Sequence, residues 1–174
     1  MKKTAFPLLV ATLLAAGCAG MGSTSGPVAV ADLAPTRGNS AAGKVTFEQH
    51  GSTVRVSGTI TGLNAGAEHG FHVHEKGDCS SGDGVSAGGH FNPLAKGHGH
   101  HGGAERHAGD MPNLHADAYG NATFSFETSG ITIGAGAADI VGRGLIVHRD
   151  ADDYKSQPAG NAGPRIACAV IARR

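Results

Sequence analysis

The stretch "EHGFHVHEKGDC", residues 68–79, sets His69, His72 and His74 within six residues, with Cys79 close behind. Its centre, Phe71, His72, Val73 and His74, alternates apolar and polar, the pattern of a strand whose successive side chains point to opposite faces. Phe71 and Val73 then share one face, and His72 and His74 share the other. With the apolar pair packed into a core, the two imidazoles stand side by side outside it and form a candidate chelate. A half-exposed strand that merely carries histidine looks the same in isolation, so the rest of the chain has to decide.

Working outward, the same period of two recurs at Val28 and Val30; Val45 and Phe47; Val54, Val56 and Ile60; Phe124 and Phe126; Ile131 and Ile133; Leu145 and Val147; and Ile166, Cys168 and Val170. With Phe71 and Val73 these make eight short strands, separated by Gly, Asn and Asp. No run of ten or more residues carries a helical period. The pattern predicts an all-β, immunoglobulin-like antiparallel sandwich or barrel, and 174 residues suffice for one such domain.

Two segments break the regular spacing. The first, Glu75 to about Asn113, is rich in histidine and glycine, and the second, Arg149 to Pro164, is polar. Structureless segments of this length within a compact domain are usually functional or disordered. The ligand-type residues of the first favour function.

Composition narrows the partners. Acidic and basic residues balance at 14 each, so nothing points to nucleic acid, and no charge run exists to bind a membrane surface. The 29 glycines without tryptophan suit a loop-rich β protein, and 11 histidines are many for this length.

The beginning, "MKKTAFPLLVATLLAAGCAG", has two lysines, an apolar run from Ala5 to Ala16 and small residues around Cys18. Residues 1–17 read as an export signal, too short and wrongly flanked for a membrane span. "LAAGC" resembles a bacterial lipobox, in which Cys18 becomes a lipid-bearing N-terminus, although alanine stands at position 15 where leucine is commoner. Ordinary secretion with nearby cleavage is the competing reading. Residues 18–27 then form a small, polar tether ahead of a domain spanning 28–174. The expected location is the periplasm or cell envelope, with membrane attachment through lipid only. Export to an oxidising compartment also allows Cys79 and Cys168 to pair, with Cys18 consumed or removed.

"GGHFNPLAKGHGHHGGAERHAGD" supplies His90, His98, His107 and Asp110, three nitrogens and a carboxylate suited to tetrahedral zinc. From a loop this rich in glycine, His100 or His101 could serve as well as His98. In "GLIVHRDADD", His148 falls at an exposed phase beside the strand of His72 and His74. Three or four imidazoles without sulfur suit copper(II). Together the sets imply two metals.

The motifs "GFHVHE", "GGHFNP", "RHAGD", "GRGLIVHRDADD" and "GNAGPRIAC" resemble, in order and from about Val28 to Ala172, the copper/zinc superoxide dismutase family. The resemblance implies a Greek-key β-barrel of eight strands and dismutation of superoxide to dioxygen and hydrogen peroxide, with one copper and one zinc ion per subunit. It implies copper at His72, His74, His90 and His148 and zinc at His90, His98, His107 and Asp110, so that His90 bridges both and serves as a proton donor. His98 keeps the family spacing to His90 and His107. Asp152 matches a carboxylate behind one histidine of each metal, Arg165 the residue that docks the anion, and Cys79 and Cys168 the disulfide. His69 matches a structural histidine, while His50 and His115 read as solvated side chains.

The chain also departs from the family. Its second loop is short, lacks the glutamate pair that shapes the field of eukaryotic members, and has Lys155 as its only lysine. The family resemblance allows a homodimer, but the ending "CAVIARR" does not clearly carry the usual eukaryotic contact, which leaves the oligomeric state open. The rival functions are a non-catalytic histidine-rich metal-binding lipoprotein, suggested by "HGHH", and a copper-only relative. Retention of Arg165 and Asp152 argues against the first, and the complete zinc-type set against the second.

Overall fold

The alternation that marks β2 (Ala42–His50) and β3 (Thr53–Thr61) turns Val45, Phe47, Val54, Val56 and Ile60 inward, where all are buried. The structure, a computed structural model, describes residues 1–2 and 26–174. Most of the expected export signal, Cys18 and most of the tether lie outside the described residues.

The remaining strands are β1 (Val28–Pro35), β4 (Glu68–His69), β5 (Phe71–His74), β6 (Leu114–His115), β7 (Ala122–Ser129), β8 (Gly144–His148), β9 (Arg165–Val170) and β10 (Ala172–Arg173). The main ladder runs β5-β8-β9-β1-β2-β3-β7 with every pair antiparallel. β1 changes partners along its length: Val28 to Leu33 pair with β2, then Ala34 and Pro35 pair with Cys168 and Ala167 on β9. That switch divides the ladder into two faces around one core, as in a sandwich. The ladder curls until its end strands meet, with the rings of Phe71 on β5 and Phe124 on β7 packed edge to face at 5.4 Å. Neighbours distant in sequence, β5 with β8, β9 with β1 and β3 with β7, are the crossovers of a Greek key.

The expected fold class holds, with one strand in error. Ile131 and Ile133 are buried as their spacing predicts, yet they form no strand. Gly130 and Gly134 take φ of 88° and 81°, and the chain folds back so that the Thr132 N–H bonds to Ala138 O while Thr132 O accepts from Ile140 N–H. Local turns absorb the backbone groups a ladder would have used. The two-residue strands β4, β6 and β10 were too short to show a period.

Both long loops fall where expected, at 75–113 and 149–164, apart from one 3₁₀ turn at Val85–Ala87. A disulfide between Cys79 and Cys168 ties the first loop to β9 across 89 positions, with a Cα–Cα distance of 5.9 Å. Closing a loop of that size contributes about 4 to 5 kcal/mol in the chain-entropy account. Both sulfurs pack with Ala87 and Ile146 in a small apolar cluster beside the main core. The Arg143 guanidinium lies 4.5 Å from the centre of the Phe91 ring and donates to Glu75 O at 2.6 Å, gripping the loop beside His74 and His90. Among the described residues no helix is long and apolar enough to cross a membrane.

Candidate metal centre

β5 is buried on both faces. Phe71 and Val73 enter the core, and His72 and His74 face away from it, as the alternation requires. They do not meet solvent, however: the first loop folds over them, pairing His72 with Asp110 and His74 with His90 as isolated bridges. His148 joins them from β8, where a bulge after Val147 shifts the register and sets His148 opposite Arg165. The exposed phase expected for His148 is therefore corrected to a buried one, at 4% exposure. The alternation identified the face correctly, but the loop that covers it is a long-range feature.

Two groups of ligand-type atoms converge. In the first, His72, His74, His90 and His148 bring one nitrogen each to within 4.8 Å of one another, and Nε2 of His74 and His148 lie 3.4 Å apart. The other nitrogens are held from behind. His74 Nδ1 bonds to Gly88 O at 2.9 Å, His148 Nδ1 to Gly163 O at 3.0 Å, and His72 Nε2 to Asp152 Oδ2 at 2.8 Å. These bonds fix ring orientation and tautomer, leaving the inner nitrogens as lone-pair donors.

In the second group, Nδ1 of His90, His98 and His107 lie 2.8, 3.1 and 3.4 Å from Asp110 Oδ1. Ligands about 2.0–2.2 Å from a tetrahedral ion are spaced by roughly 3.3–3.6 Å; the His107 distance lies in that range, and those of His98 and His90 are shorter, the last at hydrogen-bond length. The other carboxylate oxygen accepts backbone N–H groups of His107 at 2.8 Å and Gly99 at 3.2 Å, which aims Oδ1 at the three rings. His90 belongs to both groups. Asp152 joins them from behind, with Oδ2 on His72 Nε2 at 2.8 Å and Oδ1 on His98 Nε2 at 2.9 Å.

The fit to metal ions rests on orphaned atoms. His72 Nδ1, His90 Nε2 and His98 Nδ1 are buried with no hydrogen-bond partner, and each points into one of the two groups. His98 Nδ1 lies 3.1 Å from Asp110 Oδ1 but is not aligned for a hydrogen bond. Leaving such atoms unpaired costs about 1–3 kcal/mol each, whereas one ion in each group would satisfy them.

Electrostatics separates the groups. Burial pushes His74 well below the ordinary imidazole value, and it lowers His90 to about 4 and His148 to about 3. Burial lowers His72 as well. These rings are neutral near pH 7, as metal ligands must be. At His98 burial also opposes charge, but the adjacent Asp110 and Asp152 carboxylates override it and raise the ring to about 9. Burial alone would raise Asp110 and Asp152; histidine hydrogen bonds instead hold both well below the usual carboxylate range.

A cavity of about 390 Å³ opens over the first group, lined in part by His74, His90, His148, Pro158 and Arg165. Half-buried Arg165 opens β9, and its guanidinium is steered by backbone carbonyls, Gly84 O and Gly88 O, both at 2.6 Å. Lys155 is exposed on the second loop.

The other histidines separate cleanly. His69 is buried, with Nδ1 donating to His148 O at 2.9 Å, the structural part expected. His50 and His115 are exposed and lie 3.6 Å from Glu48 and 3.3 Å from Glu68. The rings of His100 and His101 lie 4.2 Å apart and both meet Tyr154 edge to face, outside both groups. Sequence reasoning missed the carbonyls of Gly88 and Gly163, because backbone acceptors leave no mark in residue identity. It also missed Asn113, whose side chain accepts the Asp152 N–H at 3.0 Å and donates to Asp152 O at 3.0 Å.

A curled antiparallel sheet that carries a four-imidazole group and a three-imidazole, one-carboxylate group, with one histidine common to both, defines a two-metal β protein. The family described as copper/zinc superoxide dismutase (SODC) matches residues 41–171, and the chain belongs to that family. It is 44% identical to the copper-zinc superoxide dismutase of Paramecium bursaria Chlorella virus 1 over 135 residues, 74% of this chain and 71% of that protein. It is 46% identical to that of Talaromyces marneffei over 137 residues, 74% of this chain and 88% of the relative. Among solved structures, the clock protein EA4 superposes with a TM-score of 0.77 at 41% identity, covering 87% of this chain and 97% of that one. The chain's activity is dismutation of superoxide to dioxygen and hydrogen peroxide, and its cofactors are copper and zinc.

Proposed function

We propose that His72, His74, His90 and His148 hold the copper ion, that His90, His98, His107 and Asp110 hold the zinc ion, and that Arg165 docks the substrate. The observation that carries this is the set of buried, partnerless nitrogens on His72, His90 and His98, each on a ring whose other nitrogen is within hydrogen-bond reach of Asp152 or Asp110.

Bound there, copper supplies a one-electron acceptor and donor, and zinc a fixed positive charge. The chain's residues do the rest. Burial keeps His74 and His148 unprotonated, so their Nε2 lone pairs stay available. Arg165 is permanently charged, lines the cavity beside His148 and is held in a fixed fork by Gly84 O and Gly88 O, so a small anion meets donors already aimed. His90 lines the cavity and presents Nδ1 to Asp110 on one side and a partnerless Nε2 on the other, which makes Nε2 the atom placed to hold and return a proton.

Elemental analysis and a superoxide disproportionation assay on one sample test the reading. One copper and one zinc per chain with activity that follows copper supports it. Full loading without activity would instead favour the non-catalytic metal-binding lipoprotein.

The same proposal includes export, a lipid at Cys18, a domain spanning 28–174 and a place in the periplasm or cell envelope. The charged start, the apolar run and "LAAGC" support it, as does a disulfide suited to an oxidising compartment. Mass spectrometry of the native N-terminus checks the lipid; an unmodified N-terminus beyond Cys18 rejects it. Homodimer formation, which the family resemblance allows, is checked by sedimentation of the purified chain.

A further inference from the structure

"HGHH", residues 98–101, offers three imidazoles where the second metal group uses one. Two side-chain amides lock the segment that carries His98. Asn92 accepts the Lys96 N–H at 3.0 Å and donates to Lys96 O at 2.7 Å, closing a ring of fixed length between His90 and His98. Gln157, from the second loop, accepts the His98 N–H at 2.9 Å and donates to His98 O at 2.9 Å. Lys96 Nζ also donates to Ala104 O at 2.6 Å, drawing the neck of the intervening loop together.

These contacts have different effects on the competing histidines. Residue 99 must be glycine, because a Cβ there would collide with the carbonyl oxygen of Glu105. Sliding the chain by two residues, to bring His100 into place, would put His101 at that contact. Sliding by three brings in His101 followed by Gly102, the same His-Gly pair as His98 and Gly99. His101 is thus the competitor that local packing does not reject. With only Gly97 between that ring and His98, a slide by three must either break the ring between Asn92 and Lys96 or force three extra residues into a one-residue link. The Gln157 clamp reads only backbone, so it holds the place of the ligand rather than counting to it.

We propose that Asn92 sets the register and Gln157 the position of the zinc-loop backbone, so that His98 is presented as ligand and His101 is held off. The inference rests on the zinc assignment above. Asn92 and Gln157 are positioning residues, and neither is placed on the metal.

The test loads cadmium-113 in place of zinc, with copper kept reduced, and reads scalar coupling from cadmium to individual histidine rings by NMR. In the unaltered protein, His90, His98 and His107 couple and His101 does not. In Asn92→Leu, coupling to His101 appears at the expense of His98, and adding Gln157→Leu lowers cadmium affinity by about 10- to 100-fold, the usual cost of losing partners behind a metal ligand. Gln157→Glu, which keeps the acceptor and loses the donor, falls between. Adding His101→Ala to Asn92→Leu returns coupling to His98 alone, which a misfolded variant would not do. Coupling to His98 alone in Asn92→Leu and in the double variant, with affinity within threefold of the unaltered protein, overturns the proposal. Absence of coupling to His90 and His107 in the unaltered protein overturns the zinc assignment itself, and the proposal with it.

Discussion

Arg165 and His74 donate to the same carbonyl oxygen, Gly88 O, at 2.6 and 2.9 Å. One peptide group therefore holds both the guanidinium proposed to dock the anion and an imidazole of the first group. Removing the guanidinium leaves His74 its acceptor, so charge and metal binding are separable. Arg165→Ala is expected to lower the superoxide rate by about 10-fold through lost steering, with both metals retained. Arg165→Glu should lower it further, and the unaltered enzyme should slow as salt is added. Rates compared at matched copper content check this; full activity of Arg165→Glu at low salt would remove Arg165 from substrate capture.

Asp152 links the two groups from behind through His72 and His98. Replacing it with asparagine keeps the volume but leaves an amide that can serve only one ring as acceptor. Asp152→Asn is expected to weaken both copper and zinc by about 10- to 100-fold. Competition with a chelator, read separately for each metal, measures it. Loss confined to zinc would mean that the bond to His72 contributes little.

The groups should respond differently to pH. His98, raised to about 9 by Asp110 and Asp152 against the opposing effect of burial, carries a proton at pH 7 in the metal-free protein. Its raised value stabilises that form fully below about pH 6.5, and the contribution disappears as pH rises through 9. Zinc must displace this proton, so zinc affinity should rise about tenfold per pH unit up to pH 9. The first group's buried rings, including His90 at about 4 and His148 at about 3, are already neutral. Copper affinity of the zinc-free protein should therefore change far less between pH 6 and 9; with zinc already bound, a bridging His90 must also give up its remaining ring proton. Calorimetry in buffers of different ionisation enthalpy, with each metal added alone to the metal-free protein, counts the protons released, and equal release for both metals would contradict the difference.

Much of this was legible in residue order. Phe71 and Val73 against His72 and His74 set the face of β5, since a period of two needs only neighbouring residues, and the ligand spacing from His90 through His107 to Asp110 lies within one loop. Burial of that face was not legible, because the roof comes from residues 75–113 folding back on the sheet. Ile131 and Ile133 carried the right burial signal without a strand, because glycine turns gave their backbone local partners. The place of His98 in the second group, with His101 outside it, was not legible either: the amides of Asn92 and Gln157 that hold this segment bond to backbone atoms.

His90 carries the sharpest prediction because, among the described residues, it alone belongs to both groups. Its Nδ1 sits 2.8 Å from Asp110 Oδ1 on the zinc side, while its Nε2 is buried without a partner on the other. A single ring cannot serve either group without fixing the other, since its two nitrogens are rigidly opposed. His90→Ala should therefore weaken both metals, whereas His107→Ala should weaken zinc and leave copper within about threefold, as its ring has no part in the first group. With cobalt(II) at the zinc position and copper(II) in place, the shared ring should couple the two spins, a signal independent of turnover. Magnetic susceptibility of the fully loaded, oxidised protein reads that coupling directly. If the two ions behave as isolated spins, or if His90→Ala costs only one metal, His90 does not bridge, and the two groups must be assigned as separate sites.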